Sequence, residues 1–335
     1  MKMLLTSVAS LAVLVSGAKA QESMVFTSWG GTTQDAQIEA WAEPFSSESG
    51  INVLQDGPTD YGKLKAMVEA DGVSWDVVDV EGDYAIQAGE QDLLEPLDFS
   101  VIDKTDLDER FVTDHSVGSF YYSFVIGCNE GAVSECPKTW ADLFDTDKFP
   151  GKRTFYKWSA PGVIEAALLA DGVSPDALYP LDLDRAFAKL DTIKDDIIWW
   201  SGGAQSQQLL ASAEAPFGSF WNGRLSALSE SGVPVSMSWD QNITAADSLV
   251  VPKGAKNKDA AMRFIAYATS PEAQAKMAEL TGYAPINTKS PELMDEDRAA
   301  TLPDRQTETQ VNADMAYWAK NRDAIASRWY AWQTE

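Results

Sequence analysis

Short runs of strand-forming residues alternate along this chain with longer segments of helical periodicity. Met24–Trp29 reads as a strand, Gly30-Gly31 interrupts it, and residues 34–48 then place apolar side chains at the spacing of an amphipathic helix. A second strand is predicted at Ile51–Leu54, and a buried apolar strand follows at Trp75–Val80. This rhythm predicts a mostly parallel α/β sheet.

The same rhythm resumes in the second half of the chain. Strands are predicted at 152–156, 216–221 and 248–251, and helices at 258–269 and 311–332. At 335 residues the chain is long enough for two domains. No flexible linker separates the two halves, so we expect two α/β lobes between which the chain crosses more than once, on strands.

The first twenty residues have the pattern of a secretory signal peptide. Lys2 supplies a positive charge, residues 4–15 form an apolar run, and Ala18-Lys19-Ala20 matches the small-x-small cleavage pattern. The apolar run is too short for a spanning helix, which needs about 20 residues. We therefore predict export to the periplasm and cleavage after Ala20.

Acidic residues dominate the charge of the chain. There are 51 Asp+Glu against 26 Lys+Arg, which gives a formal net charge of −25. Such a surface repels phosphate backbones, so we expect no nucleic-acid partner. The charge could steer cations toward the protein, or it could be a general adaptation of the surface to solubility or salt.

The two cysteines, Cys128 and Cys136, are close in sequence. In an exported chain a close, even pair predicts a disulfide. The loop is short, so its closure would stabilise the fold by roughly 2–3 kcal/mol.

The signatures of enzymes and cofactor sites are weak in this sequence. A catalytic triad would have to use His115, the single histidine, which lies in a segment typical of an exposed turn. No cluster has metal-ligand spacing, and no nucleotide-binding glycine motif is complete. The sequence predicts a protein without catalysis, metal or cofactor.

Aromatic and charged side chains recur where predicted strands end. In open α/β sheets ligands bind outside the carboxyl ends of the strands. Indole faces attract cations and carboxylates accept hydrogen bonds from ammonium groups, so the set predicts an organic amine as ligand. Singly, each could instead be a packed core tryptophan or a helix-capping acid. The residues are Trp29, Glu81, Asp83, Trp221, Asp247 and Tyr283.

Several segments, in order along nearly the whole chain, resemble the polyamine-type (spermidine/putrescine) extracellular solute-binding proteins, family 1, of ABC transporters. They are SWDVVDVEGD (74–83), LLEPLD (93–98), PKTWADLF (137–144), KFPGKR (148–153), WNGR (221–224), DSLVVP (247–252) and KNKDAA (256–261).

The resemblance implies a periplasmic binding protein-like fold of type II, with a ligand cleft between two α/β lobes and a membrane permease as partner. We expect lobe 1 to comprise residues 21–124 and 249–309, and lobe 2 residues 125–248 and 310–335. A monomer is the default for this class. The family's cleft positions fall on the six residues named above, with Trp158 as a further aromatic wall.

Two departures from the family pattern concern the ligand. Polyamine binders often carry an acid pair in the segment that here reads Lys157–Gly162, without an acid, and the family's stacking tryptophan near the cleft acid is Ala245. Arg224 lies one turn from Trp221 and suits a carboxylate better than a polycation.

The sequence therefore leaves two ligand classes open. The family resemblance and the acids favour a putrescine- or spermidine-like polyamine. Arg224 and Asp247 together favour a zwitterionic ω-amino acid such as 4-aminobutyrate, unless Arg224 only forms a salt bridge with Asp247 or another acid. A role in presenting the ligand to a receptor instead of a permease also stays open.

Overall fold

The computed structural model describes residues 21–335, so the predicted signal peptide lies outside the described residues. The strands within this range are β1 (Ser23–Thr27), β2 (Asn52–Asp56), β3 (Val77–Glu81), β4 (Ser116–Asn129), β5 (Arg153–Tyr156), β6 (Ile197–Trp200), β7 (Phe217–Trp221), β8 (Val235–Val250) and β9 (Val311–Asn312).

The α-helices are α1 (Gly31–Gln37), α2 (Glu43–Ser49), α3 (Tyr61–Glu69), α4 (Gly82–Glu90), α5 (Trp140–Phe144), α6 (Val163–Ala170), α7 (Leu183–Asp191), α8 (Gly203–Ala211), α9 (Asn222–Glu230), α10 (Lys258–Ala268), α11 (Pro271–Thr281), α12 (Glu296–Ala300) and α13 (Met315–Thr334). None of the helices within residues 21–335 combines the length and apolar composition needed to cross a membrane.

The strands pair in the order β2-β1-β3-β8-β4-β7-β5-β6, with β9 beside β8. Strands β2, β1 and β3 are parallel to one another, and so are β7, β5 and β6. The antiparallel strands β4 and β8 join these two parallel groups. The predicted α/β architecture of two lobes connected by crossing strands is confirmed.

Strands β4 and β8 each run through both lobes. The end of β8 pairs with β3 in lobe 1, whereas the end of β4 pairs with β7 in lobe 2. Their mutual register shifts at Gly118/Phe120 and Phe124/Ile126. Such irregularities bend a strand, which suits a connection between lobes. The predicted lobe boundaries, 124/125 and 248/249, both fall inside these strands.

Two predicted elements differ from the observed ones. The strand predicted at 248–251 is the last part of β8, which begins at Val235. Its first residues, 235–240, do alternate between apolar and polar as a strand does, and the prediction missed this signal. The helix predicted from Val311 starts at Met315, where Asp314 caps it by accepting a hydrogen bond of 2.8 Å from the Tyr317 N–H, after the short strand β9.

The predicted disulfide is present. Cys128, near the end of β4, is bonded to Cys136 in the loop before α5.

Candidate ligand-binding site

Side chains from both lobes surround a cavity at the centre of the sheet, with about 340 Å³ of space not filled by protein atoms. Six of the predicted site residues line it: Trp29, Glu81, Trp221, Arg224, Asp247 and Tyr283. Four other residues complete the wall: Thr33, Phe120, Tyr122 and Tyr156.

Asp247 lies in the middle of this site because of the strand register. On one side it is paired with Glu81 of β3, and on the other with Phe120 of β4. It is 5% exposed, and within residues 21–335 it forms no salt bridge. Burial raises the pKa of Asp247 well above its ordinary value, and the charges of Asp79 and Glu81 raise it further, while the nearby Trp29 indole opposes the shift. A cation in the cavity would stabilise the ionised form of the buried Asp247 carboxylate.

Arg224 enters the cavity from the first turn of α9, which follows β7 directly. It is 4% exposed, and its Nη1 donates a hydrogen bond of 2.6 Å to Thr32 Oγ1 in lobe 1. Its Nε has no acceptor, and no salt bridge within residues 21–335 involves it. A Cβ added at Gly203 would lie 2.2 Å from that Nε, so only glycine leaves room for this arginine.

Within residues 21–335 Arg224 forms no salt bridge with Asp247 or another acid, which was the structural role considered for it in the sequence. A buried charge without a counter-ion is costly, and proteins normally pair it. Here a guanidinium and a carboxylate line one cavity with neither satisfied by the protein. The pair offers one position for an anion and one for a cation.

Aromatic rings make the remaining walls. Trp221 contacts Tyr156 with ring centroids 5.1 Å apart and Tyr122 at 6.0 Å, and Tyr283 is stacked on Phe120 at 4.8 Å. Rings in such contacts present a rigid apolar surface that can pack against methylene groups.

Two indole groups add unused hydrogen-bond donors to the cavity wall. The Nε1 atoms of Trp29 and Trp221 are buried and donate no well-formed hydrogen bond among the described residues. Together with the Arg224 guanidinium they make the cavity rich in donors, and donors recognise a carboxylate.

Glu81 and Asp83 differ in their positions relative to the cavity. Glu81 lines the cavity, but its Oε2 accepts hydrogen bonds from Arg322 Nη2 at 2.8 Å and from the Tyr61 hydroxyl at 3.1 Å. Asp83 is fully buried outside the cavity and forms an ion pair with Arg322 Nη1. Asp83 is thus not among the residues that line the cavity; it lies at the second position of helix α4, which begins at Gly82.

Trp158 lies farther out than predicted. It is 42% exposed, and its indole donates a hydrogen bond of 3.1 Å to the Ser201 carbonyl. It lines a larger outer cavity, whose lining shares five residues with the inner one: Trp29, Glu81, Tyr156, Trp221 and Arg224. Trp158 is thus placed at the entrance and not in the wall of the inner cavity.

Three further residues at or beside the cavity, Tyr122, Tyr156 and Arg322, were not predicted from the sequence. Strand β4 is buried along its whole length, so no alternation marks Tyr122 as facing a cavity. Tyr156 does end a strand, and the rule applied to Trp29 and Trp221 would have found it. Arg322 is 241 residues from Glu81 in the chain, and only the folded structure brings them together.

Comparisons with known proteins agree with this geometry. The family model described as bacterial extracellular solute-binding protein matches residues 9–307. The chain is 32% identical to the gamma-aminobutyric acid-binding protein of Pseudomonas aeruginosa, over 97% of this chain and 95% of that protein. It is 26% identical to the spermidine/putrescine-binding periplasmic protein of Escherichia coli, over 79% and 80%.

A solved structure of the Atu4243 GABA receptor is more similar still. It is 78% identical in sequence, covers 93% of this chain and 98% of its own, and superimposes with a TM-score of 0.88. The resemblance read from the sequence segments is confirmed, since relatives of the polyamine-binding type are present as well. The chain belongs to the bacterial extracellular solute-binding protein family and is the substrate-binding protein of an ABC transporter.

Proposed function

We propose that this protein captures a zwitterionic ω-amino acid of the 4-aminobutyrate type and delivers it to a membrane permease. Arg224 would hold the carboxylate and Asp247 the ammonium group. The observation that carries the proposal is that both residues are buried in one cavity and neither has an oppositely charged partner among residues 21–335. A neutral zwitterion satisfies both charges at once.

A polyamine fits this arrangement less well, although the family resemblance alone favours it. A diamine brings no anion to Arg224, so the guanidinium would remain buried beside a second cation. The names of the relatives support the same choice. The two that print gamma-aminobutyric acid or GABA are 32% and 78% identical, whereas the polyamine binders compared are 26% identical or less.

We also infer that the chain is exported to the periplasm through the signal peptide at residues 1–20, acts as a monomer and performs no catalysis. Membership of an extracellular family supports the export. The cavity lining supports simple binding, since it contains neither the single histidine nor a cysteine. Mass spectrometry of the exported protein, with Gln21 expected as its first residue, and recovery of unchanged ligand from the complex would test these points.

A four-carbon ligand series tests the proposed function most directly. 4-Aminobutyrate carries both charged ends, butylamine and butyrate carry one each, and putrescine carries two ammonium groups. In a thermal-shift assay a ligand at about 100 times its Kd stabilises the native state by roughly 2.7 kcal/mol. We expect a shift with 4-aminobutyrate and little or none with the other three.

The alternatives have distinct outcomes in the same assay. A shift with putrescine but not 4-aminobutyrate would overturn the proposal in favour of the polyamine class. A shift with neither, while another solute such as glycine betaine gives one, would remove the ω-amino acid from this site.

A further inference from the structure

A second buried arginine lies next to the inner cavity. Arg322 of α13 forms ion pairs with both Glu81 and Asp83, and its side chain is only 12% exposed. Its guanidinium carbon lies 5.2 Å from the ring centroid of Tyr61 and 5.7 Å from that of Tyr84. These two rings are stacked on each other at 3.7 Å. Arg322 is therefore fixed in place by two carboxylates and two aromatic faces.

This arrangement determines how much negative charge reaches the cavity. Glu81 lines the cavity directly opposite Asp247 on the neighbouring strand, a position from which it could bind a second ammonium group. Instead, Arg322 and the Tyr61 hydroxyl occupy its Oε2. Asp247 is left as the lining carboxylate that has no cationic partner in the described residues.

We propose that Arg322 determines the ligand charge that the cleft accepts, by neutralising Glu81 and so limiting the site to ligands with one ammonium group. Without this arginine, Glu81 and Asp247 would form the paired acidic site that a diamine requires. The inference rests on the proposed function for its choice of ligand. It assigns to a residue of the C-terminal helix the discrimination between ω-amino acids and diamines.

Helix α13 holds its position by contacts that do not involve Arg322. Its three buried tryptophans donate hydrogen bonds from their indole groups, Trp318 to Glu165, Trp329 to the Lys157 carbonyl and Trp332 to Asp191, at 2.6 to 2.8 Å. Substitution of Arg322 therefore leaves the helix anchored, so that its effect on selectivity can be measured in folded protein.

The test is the ratio of the Kd values for putrescine and 4-aminobutyrate, measured by calorimetry. In Arg322→Gln we expect this ratio to fall by about ten- to a hundredfold relative to the unmodified protein, since hydrogen bonds to charged groups are worth that much. Arg322→Lys keeps the positive charge and should keep the ratio close to its original value.

A second pair of variants separates released charge from altered shape. Asp83→Asn with Arg322→Gln leaves Glu81 free but removes the charge of the fully buried Asp83. This double variant can be measured if Arg322→Gln alone does not fold. Its binding should also shift in favour of putrescine. Glu81→Gln with Arg322→Gln removes the released carboxylate and should restore the original ratio.

The proposal is overturned if folded Arg322→Gln and the Asp83→Asn combination both keep the original ratio, or if the Glu81→Gln combination does not restore it. Failure of the proposed function is separate, because it is seen in the unmodified protein as absence of 4-aminobutyrate binding. In that case the same ratio is measured between butylamine and putrescine.

Discussion

Arg224 and Arg322 are two buried arginines near one cavity, and they differ in their partners. Arg322 has two carboxylates and two tyrosine rings around its guanidinium. Arg224 donates to one neutral hydroxyl, and its Nε has no acceptor in the part of the chain that the structure describes. The fold thus satisfies one guanidinium fully and leaves the other incomplete.

This difference shows how a binding protein can use one buried arginine to stabilise its structure and leave another available to bind the ligand. Burial lowers the pKa of Arg322, but the nearby carboxylates of Asp83 and Glu81 raise it by more, so that it lies above its ordinary value. Removing it should destabilise the ligand-free protein, since it leaves two acids buried without a counter-ion. Removing Arg224 should have the opposite effect on stability, because it removes an uncompensated charge.

The largest effect is expected for Arg224→Met. Loss of one partner of a buried, hydrogen-bonded charge pair costs about 2–5 kcal/mol, so the Kd for 4-aminobutyrate should rise by a factor on the order of 100 to 1000. The melting temperature of the ligand-free variant should stay the same or rise. Calorimetry and thermal unfolding of the same preparations measure both quantities.

Arg263→Met is the matched control for this variant. Arg263 is exposed on α10 and lies outside the cavity lining, so its loss changes the net charge by the same amount without affecting the site. If Arg224→Met retained 4-aminobutyrate affinity equal to that of the control, the role of Arg224 as the carboxylate ligand would be wrong.

Asp247→Asn is expected to have the next largest effect. The amide oxygen can still accept one hydrogen bond from an ammonium group, but the charge is lost. We expect the Kd for 4-aminobutyrate to rise about 10- to 100-fold, as for loss of a hydrogen bond to a charged group. Butyrate, which has no ammonium group, provides the comparison. The assignment of Asp247 would be wrong if the ratio of the Kd values for butyrate and 4-aminobutyrate were the same in the variant and in the unmodified protein.

The sequence predicts the surroundings of Arg224 far better than those of Arg322. Trp29, Trp221 and Asp247 could be found because each lies at or beside a strand segment that periodicity reveals, and strand ends converge in an α/β sheet. Arg224 could be found because it follows Trp221 by one helical turn. All of this information is local.

The region around Arg322 depends on contacts between distant parts of the chain. Its neighbours Glu81 and Asp83 are visible as acids after a strand, but their direction depends on where α4 begins. Asp83, at the second position of that helix, does not line the cavity, whereas Glu81 at the end of the strand does. No local pattern predicts that α13 supplies their counter-ion.

The pH dependence of binding should give the smallest effect. It tests whether Asp247 is without a cationic partner in the ligand-free cavity. Because burial and nearby acids raise the pKa of Asp247, the ligand-free protein should keep Asp247 protonated to higher pH than an ordinary aspartate. An ammonium group binds the ionised form. Affinity for 4-aminobutyrate should therefore increase as the pH rises through this pKa, and binding should release a proton, which calorimetry in buffers of different ionisation enthalpy detects.

Asp79 tunes this dependence from one layer below the cavity. It is fully buried and accepts a hydrogen bond of 2.6 Å from Gln37, yet burial raises its pKa to about 7. The native state holds this proton more tightly than the unfolded state does. The ligand-free protein should therefore lose stability as the pH rises from about 4, the ordinary pKa of the group, through 7.

Asp79→Asn should remove that loss of stability. Above about pH 7, where Asp79 is ionised, it should also lower the pKa of Asp247, since one nearby negative charge is gone. Above that pH the variant should bind 4-aminobutyrate more tightly than the unmodified protein, because more of its Asp247 is ionised. An affinity profile that is flat with pH, or the same in both proteins, would mean that Asp247 is already ionised in the empty cleft and that its charge is balanced by something other than the ligand.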